Sequence, residues 1–184
     1  MAPWGWIIVA IVVVVVVVAI ALGSARRRRA ALRDRFGPEY DRTVERSGST
    51  RAAEQDLRDR ERLHDELELR PLSEVTRTRY LDRWNDIQAT FVDDPQAAVT
   101  EADGLVQRVM QERGYAGDDP DLDRGLAAVS VDHPDTVERY RDAHGVAIRA
   151  RVNDASTEDL RQAMTNYRAL FDELLSSGSE RGVR

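Results

Sequence analysis

The sequence predicts an all-α protein, with one N-terminal transmembrane helix followed by a small helical, bundle-like domain. Three observations predict this class. The run at residues 4–22 contains no charged residue and no proline. Later segments repeat apolar side chains every three or four residues, which is the spacing of one helix face. No stretch alternates apolar and polar residues in the way that a half-buried strand does.

The chain of 184 residues has room for one anchor and one domain of ordinary size. The predicted segments are a short N-terminus (1–3), a transmembrane helix (4–22), a basic juxtamembrane segment with a hinge (23–47), a soluble helical domain (48–175) and a disordered tail (176–184). The chain has no cysteine, which excludes disulfides, thiolate metal sites and cysteine nucleophiles.

The apolar run fits a membrane in length. About 19 helical residues rise by about 28 Å, close to the thickness of a hydrocarbon core. Trp4 and Trp6 suit one membrane interface. Ala19 and Gly23 form a weak small-xxx-small pair for helix dimerisation.

Charge predicts the direction of the anchor. Four consecutive arginines follow the run directly: Arg26, Arg27, Arg28 and Arg29. Basic residues stay on the cytoplasmic side, so we expect a single-pass protein of the cell membrane with its N-terminus outside and its domain in the cytoplasm. The same arginines suit a stop-transfer flank or an anionic-lipid clamp. Two alternatives remain: a signal peptide cleaved after Ala21, and an envelope protein with its domain outside.

The first elements follow the anchor without a gap. The anchor helix is predicted to continue to about Arg35, to break at 36–38 and to resume as a short helix to about Arg46. The charged stretch from residue 50 predicts a mostly solvated helix that ends at Pro71.

An aromatic stripe marks the next helix, at 74–92. Ser73 is its predicted cap, and the stripe is formed by Tyr80, Trp84, Ile87 and Phe91. Core packing is the default explanation of such a stripe. The alternative is a ligand groove or a peptide-binding face that contains Tyr80, Trp84 and Phe91.

The following helix is predicted to begin at Asp94-Pro95, to end near Gly114 and to pair antiparallel with the aromatic helix. Its apolar face is predicted to contain Ala98, Ala102, Leu105, Val106, Val109 and Met110. A brief helix is expected near 122–129.

The last two helices are the C-terminal ones. The first begins at Pro134 with the stripe Val137, Tyr140, His144 and Ile148. The second, at 157–175, follows a capping box of Ser156 and Asp159. It has the clearest apolar face in the chain: Leu160, Ala163, Met164, Tyr167, Leu170, Phe171 and Leu174.

Catalytic and cofactor motifs are absent from the sequence. The histidines His64, His133 and His144 lack zinc-site spacing, and we interpret them as a solvated, a capping and a core residue. The acidic cluster at 118–123 departs from the EF-hand pattern, so a solvated loop is expected. No nucleophile elbow and no phosphate-binding loop is present. We predict no enzyme activity, no cofactor and no metal.

The net charge also limits the kinds of partner that the domain can bind. The four flanking arginines leave 23 basic residues against 33 acidic ones, so the rest of the chain has a net charge of −10. Such a domain repels nucleic acid. The predicted partners are the lipid bilayer and either a protein or a second copy of the chain.

Several blocks carry a resemblance: FGPEYDRTVE (36–45), RW with FVDDP (83–95), VDHP (131–134), ASTEDLRQAM (155–164) and YRALFDELL (167–175). They resemble a group of uncharacterised actinobacterial proteins that are membrane-anchored and sometimes labelled secreted. The resemblance implies a shared helical domain behind an N-terminal hydrophobic segment, and it implies no activity.

The leading hypothesis is a membrane-tethered helical interaction module. The rival from another class is a small-molecule sensor or enzyme, with a pocket between the aromatic helix and the two C-terminal helices.

Overall fold

The computed structural model describes residues 4–115 and 121–176, and within the first helix the side chains at 5–11, 18, 21, 22 and 25 lie outside the description. The described residues form helices and no strand, which confirms the all-α prediction. The helices are α1 (Trp4–Phe36), α2 (Pro38–Ser47), α3 (Thr50–Glu66), α4 (Glu74–Asp93), α5 (Pro95–Glu112), α6 (Leu122–Asp132), α7 (Pro134–Ala150) and α8 (Thr157–Ser176). Most of the predicted tail, residues 177–184, lies outside the described residues.

Helix α1 is unbroken from the apolar run through the arginines that follow it. The valines at 12–17 are each between 49% and 60% exposed, and Trp4 and Ile20 are exposed as well. Among the residues described, none of the helices is long and apolar enough to pass through a membrane. The transmembrane part of the predicted fold class therefore lacks support from the structure.

The break between α1 and α2 lies where it was predicted. Gly37 has a φ of +48°, a left-handed conformation that glycine adopts without steric cost. Pro38 opens α2 at a position where the missing N–H is harmless. The residues around the break form a small buried cluster: Leu32, Phe36, Tyr40, Leu57 and Val131. The end of α1 is therefore packed into the domain, whereas Gly37 of the predicted hinge is half-buried and Pro38 is exposed.

Helix α3 differs from its prediction in two ways. It ends at Glu66 and not at Pro71. One face is buried against α2 and α6, so the expectation of a mostly solvated helix is wrong. The buried residues are Ala53, Glu54, Leu57 and Arg60.

The early end of α3 has a tertiary cause. The segment at 67–73 runs beside the end of α5, where the Arg70 backbone N–H donates to the carbonyl of Arg113 at 3.0 Å. Gly114 has a φ of +89°, and a Cβ there would lie 2.6 Å from the Glu68 carbonyl oxygen. The predicted stop at Gly114 is confirmed, and this close approach explains why the position requires glycine.

The main core lies between α4, α5, α7 and α8. Contacts from Tyr80 to Glu112 and from Arg83 to Glu101 show that α4 and α5 are antiparallel, as predicted. Every residue of the predicted apolar faces of α5 and α8 is buried. The predicted caps are also present, because Ser73 and Asp94 accept backbone N–H groups and Ser156 and Asp159 form a reciprocal capping box.

The stripe predicted for α7 is wrong at its end, because Ile148 is exposed. The buried residues are Thr136, Val137, Tyr140, Ala143, Ala147 and Ala150. Apart from Val137 they are spaced alternately four and three residues apart, which is the 3.5-residue period of helices that coil around each other. The predicted stripe followed a longer period and drifted off the packed face. Small alanine side chains let α7 approach α8 closely.

Candidate functional site

The four predicted flank arginines divide into two groups. Arg26, Arg27 and Arg28 are exposed, and within the described residues none of them lies at ion-pairing distance from an acidic side chain. Arg29 Nε instead lies 2.7 Å from Glu54 Oε1 of α3. The group that faces the domain continues along α1, because Arg35 pairs with Glu61 at 3.2 Å.

The predicted aromatic face is only partly assembled. Trp84 is almost completely buried and stacks on Phe171, with ring centroids 4.9 Å apart. Tyr80 donates a hydrogen bond to Glu112, and burial together with this bond raises the pKa of Tyr80 to about 12. Phe91 is half-buried. Trp84 and Phe91 therefore share a surface, whereas Tyr80 closes the other end of the α4–α5 pair.

The surface shared by Trp84 and Phe91 is an open groove between α4 and α8, with a volume of about 340 Å³. Its lining residues are Trp84, Gln88, Phe91, Arg161, Met164, Thr165 and Arg168. The Arg168 guanidinium lies 5.5 Å from the Trp84 ring centroid, in a cation–π contact. The Trp84 Nε1 atom is buried and has no hydrogen-bond partner among the described residues. The groove therefore combines an apolar floor with a basic rim.

The main core contains a carboxylate that the sequence analysis did not predict. The side chain of Asp103 on α5 is 1% exposed. Its Oδ1 atom accepts hydrogen bonds from the hydroxyls of Tyr140 at 2.9 Å and Tyr167 at 3.1 Å, and it lies 2.9 Å from His144 Nδ1. Its Oδ2 atom accepts a bond from Gln107 at 3.0 Å. One carboxylate thus ties α5 to α7 and α8.

Ionisation in this cluster follows from its contacts. Burial opposes a charged Asp103, but hydrogen bonds from His144 and the two tyrosines outweigh it and hold the pKa of Asp103 below its usual value. The bond to Asp103 in turn raises the pKa of His144. Burial and the neighbouring carboxylate raise the pKa of both tyrosines. His144 lies beside the core, as predicted, and its imidazole forms a hydrogen bond with Asp103.

A second buried carboxylate lies at the α1–α2 junction. Glu39 Oε1 accepts hydrogen bonds from Arg60 of α3 and Arg141 of α7, each at 2.8 Å. Burial raises the pKa of a carboxyl, but the two guanidiniums outweigh this effect and lower the pKa of Glu39. Helix α2 is therefore fixed to two other helices of the domain, α3 and α7.

The other two histidines differ from their predictions, His64 in its burial and His133 in its side-chain contacts, although His133 does stand at the N-cap position of α7. His64 was predicted to be solvated, but its side chain is mostly buried and its Nε2 lies 3.0 Å from Asp132 Oδ2. His133 was predicted to cap α7, but it makes no side-chain capping bond and its Nδ1 lies 2.8 Å from Glu173. Both positions result from contacts between helices far apart in the sequence.

In the part of the chain that the structure describes, no three His, Asp or Glu side chains are grouped closely enough to hold a metal ion. Of the acidic cluster, Asp118 and Asp119 lie outside the described residues, and Asp121 caps α6 by accepting the Asp123 N–H.

One signal for the missed carboxylate was present in the sequence. Asp103 lies one residue after Ala102 and three before Val106, so helical spacing already placed an acid on a buried face. Such a residue needs donors from other helices. Glu39 gave no comparable signal, because α2 is short and polar.

Comparison with known proteins gives no relative. No family model, no curated protein and no solved structure matches the chain. The resemblance to the actinobacterial group stays a prediction.

Proposed function

We propose that this protein is a membrane-tethered interaction module, in which residues 4–22 cross the bilayer and the helical domain binds a partner at the membrane surface. The observation that carries the proposal is the exposure of the valines at 12–17. Successive side chains leave a helix about 100° apart, so six consecutive exposed valines cover every side of α1. A helix that is apolar all round requires apolar surroundings on all sides.

Direction follows from the charges beside this segment. The first acidic residue is Asp34, whereas Arg26, Arg27 and Arg28 follow the apolar run and are exposed. Basic residues beside a span favour the cytoplasmic side, so we place the domain in the cytoplasm. The alternatives are an envelope protein with its domain outside, and cleavage after Ala21.

The groove between α4 and α8 is the surface that we propose for the partner. It has an apolar floor at Trp84 and Phe91, and Arg161 and Arg168 stand one above the other on its rim. Each arginine pairs with an acid of its own helix, but such exposed pairs are weak and readily exchanged. A partner helix with apolar and acidic side chains fits this surface.

Membrane insertion and direction are tested together. A reporter that is active only inside or only outside the cell, fused after Ser176, reads the compartment of the domain, while alkaline carbonate washing of membranes reads insertion. We expect cytoplasmic activity and full retention in the pellet. Release by carbonate would disprove the anchor, and external activity would reverse the direction.

Partner binding is tested by site-specific crosslinking in intact cells. A photo-crosslinker at Gln88, in the groove, is compared with one at Gln55, which lies exposed on α3. We expect a discrete product from position 88 that the double change Arg161→Glu and Arg168→Glu abolishes. Equal products from both positions, or a product that survives the charge reversal, would exclude the groove.

The rival function is a small-molecule sensor or enzyme. The groove volume of about 340 Å³ is near the lower end of ligand-pocket sizes and favours a small ligand as the second candidate. In the interior, the space predicted for a pocket between the aromatic helix and the C-terminal helices is filled, because Trp84 stacks on Phe171. Binding of an apolar carboxylate that quenches Trp84 fluorescence, in a chain that yields no crosslink, would favour this rival.

A further inference from the structure

We infer that Arg26, Arg27 and Arg28 form a collar that binds the headgroups of anionic phospholipids, while the remaining arginines of α1 hold the domain. This inference rests on the proposed membrane anchor and names the lipid that its flank selects. The starting observation is the division of the arginines, because Arg29 and Arg35 contact acids of α3 and the three collar residues contact none among the described residues.

The geometry of α1 gives the collar its reach. The helix is continuous through this region, so the three side chains leave it about 100° apart and together cover more than half of its circumference. The collar begins four residues beyond Leu22, which places it about 6–9 Å above the end of the apolar run. That height matches the headgroup layer of a bilayer.

The chemistry of the collar selects phosphate. A guanidinium presents a planar fork of N–H donors that binds phosphate oxygens with two hydrogen bonds. No acidic residue precedes Asp34, so nothing on the adjoining turns of α1 neutralises the collar. Anionic lipids therefore gain from all three arginines, whereas a zwitterionic headgroup brings its own cation.

The paired arginines explain why the collar has only three members. Arg29 is turned toward Glu54, whose side chain is 9% exposed, and the pair joins α1 to α3. Arg33 pairs with Asp41 at 2.9 Å across the break between α1 and α2. The two sets of arginines lie on one helix and act on different partners.

The test measures which lipid surrounds the collar. The chain has no cysteine, so Ala30→Cys provides a single labelling site two residues, or about 3 Å of helix rise, beyond the collar. The full chain with a fluorophore at this site is placed in phosphatidylcholine vesicles that contain some phosphatidylglycerol. Quenching by headgroup spin-labelled phosphatidylglycerol is compared with quenching by spin-labelled phosphatidylcholine at equal amounts.

We expect the anionic quencher to be several-fold more effective, and its advantage to fall as salt is raised. The triple change Arg26→Gln, Arg27→Gln and Arg28→Gln should abolish the advantage. Lysines at the same three positions should keep most of it. The matched control replaces three exposed arginines elsewhere with glutamine, at Arg46, Arg108 and Arg139, and should leave it unchanged.

Each outcome is decisive. Equal quenching by the two lipids in the unmodified chain, or an advantage that survives the glutamine triple change, overturns the collar. Carbonate washing of the same vesicles separates this result from the anchor. If the protein stays in the vesicles after carbonate washing but shows no preference for the anionic lipid, the anchor is supported and the collar is excluded. If the protein is released but its preference for the anionic lipid persists, the collar is supported and the anchor is excluded.

Discussion

Glu39 and Asp103 are both buried carboxylates, but the protein stabilises them in different ways. Glu39, near the end of α1, is held by two guanidiniums. Asp103, in the main core, is held by two phenol hydroxyls, an amide and an imidazole, and the Arg151 guanidinium lies farther away, at 3.6 Å. Both carboxyls have a lowered pKa. The difference lies in the charged partners within hydrogen-bonding distance: those of Glu39 are two guanidiniums, which stay charged at all accessible pH values, whereas that of Asp103 is the titratable imidazole of His144.

The stability of the two ends of the domain therefore responds differently to a change of pH. The junction between α1 and α2 is fixed by guanidiniums that stay charged, and its strength changes little from about pH 5 to pH 8. The core that joins α5, α7 and α8 is held partly by a titrating group, so its strength depends on pH.

The largest effect is expected from Glu39→Ala. The substitution removes the buried partner of Arg60, whose side chain is 8% exposed, and leaves this guanidinium paired only with the more exposed Asp56, at 2.6 Å. Breaking such a buried pair costs about 3–5 kcal/mol of unfolding free energy. Urea unfolding of the full chain in detergent, followed by near-ultraviolet circular dichroism, measures it, and the loss should be the same at pH 6 and pH 8.

Asp41→Ala is the control for that measurement, because Asp41 lies on α2 like Glu39 but forms an exposed pair, with Arg33 of α1. Its cost should stay below about 1 kcal/mol. Equal losses from the two substitutions would show that burial does not distinguish Glu39.

A smaller loss is expected from Tyr167→Phe, which removes one hydroxyl from Asp103 in the core. A hydrogen bond to a charged group contributes about 1.5–3 kcal/mol, and the same unfolding measurement reads it. Tyr80→Phe removes a bond to Glu112 at the surface, so it should cost less. A larger loss at Tyr80 would contradict the role given to the core carboxylate.

The smallest effect is a change of stability with pH. Because Asp103 raises the pKa of His144, the protonated histidine stabilises the fold fully below about pH 6.5, and this contribution is lost as pH rises through the folded pKa. Unfolding free energies measured between pH 6 and pH 9 should fall accordingly. His144→Gln should remove this decline, and a decline that persists would assign it to another group.

His133 gives the opposite sign and serves as the internal comparison. Burial lowers the pKa of His133, so its neutral form stabilises the fold above about pH 6.5 and the contribution is lost as pH falls below that value. His133→Gln should flatten the acidic side of the profile and leave the alkaline side unchanged.

The sequence was sufficient to predict the features that depend on residues close together along the chain. The helix breaks at Gly37 and Gly114, the capping residues and the apolar faces of α5 and α8 all follow from local geometry. Ile148 was misplaced because the true period of α7 depends on its coiling against α8.

The candidate sites depend on distant residues, and here the sequence was insufficient. Glu39 and Arg141 are 102 positions apart, and Asp103 and Tyr167 are 64 apart. The exposed position of Arg28 and the paired position of Arg29 also differ only because α3 folds back against α1. No periodicity within one segment carries this information.

The unbroken course of α1 has a mechanical consequence. The helix has 33 residues and is about 50 Å long. With residues 4–22 in a bilayer, about 20 Å of the helix extends from the membrane to the buried ring of Phe36, and the end of this part is packed against the domain. A tilt of α1 therefore displaces the domain sideways. A rotation of α1 about its own axis turns the groove between α4 and α8 by the same angle. On the proposed anchor, a change of membrane thickness that alters the tilt of the spanning helix also alters the direction in which the groove faces.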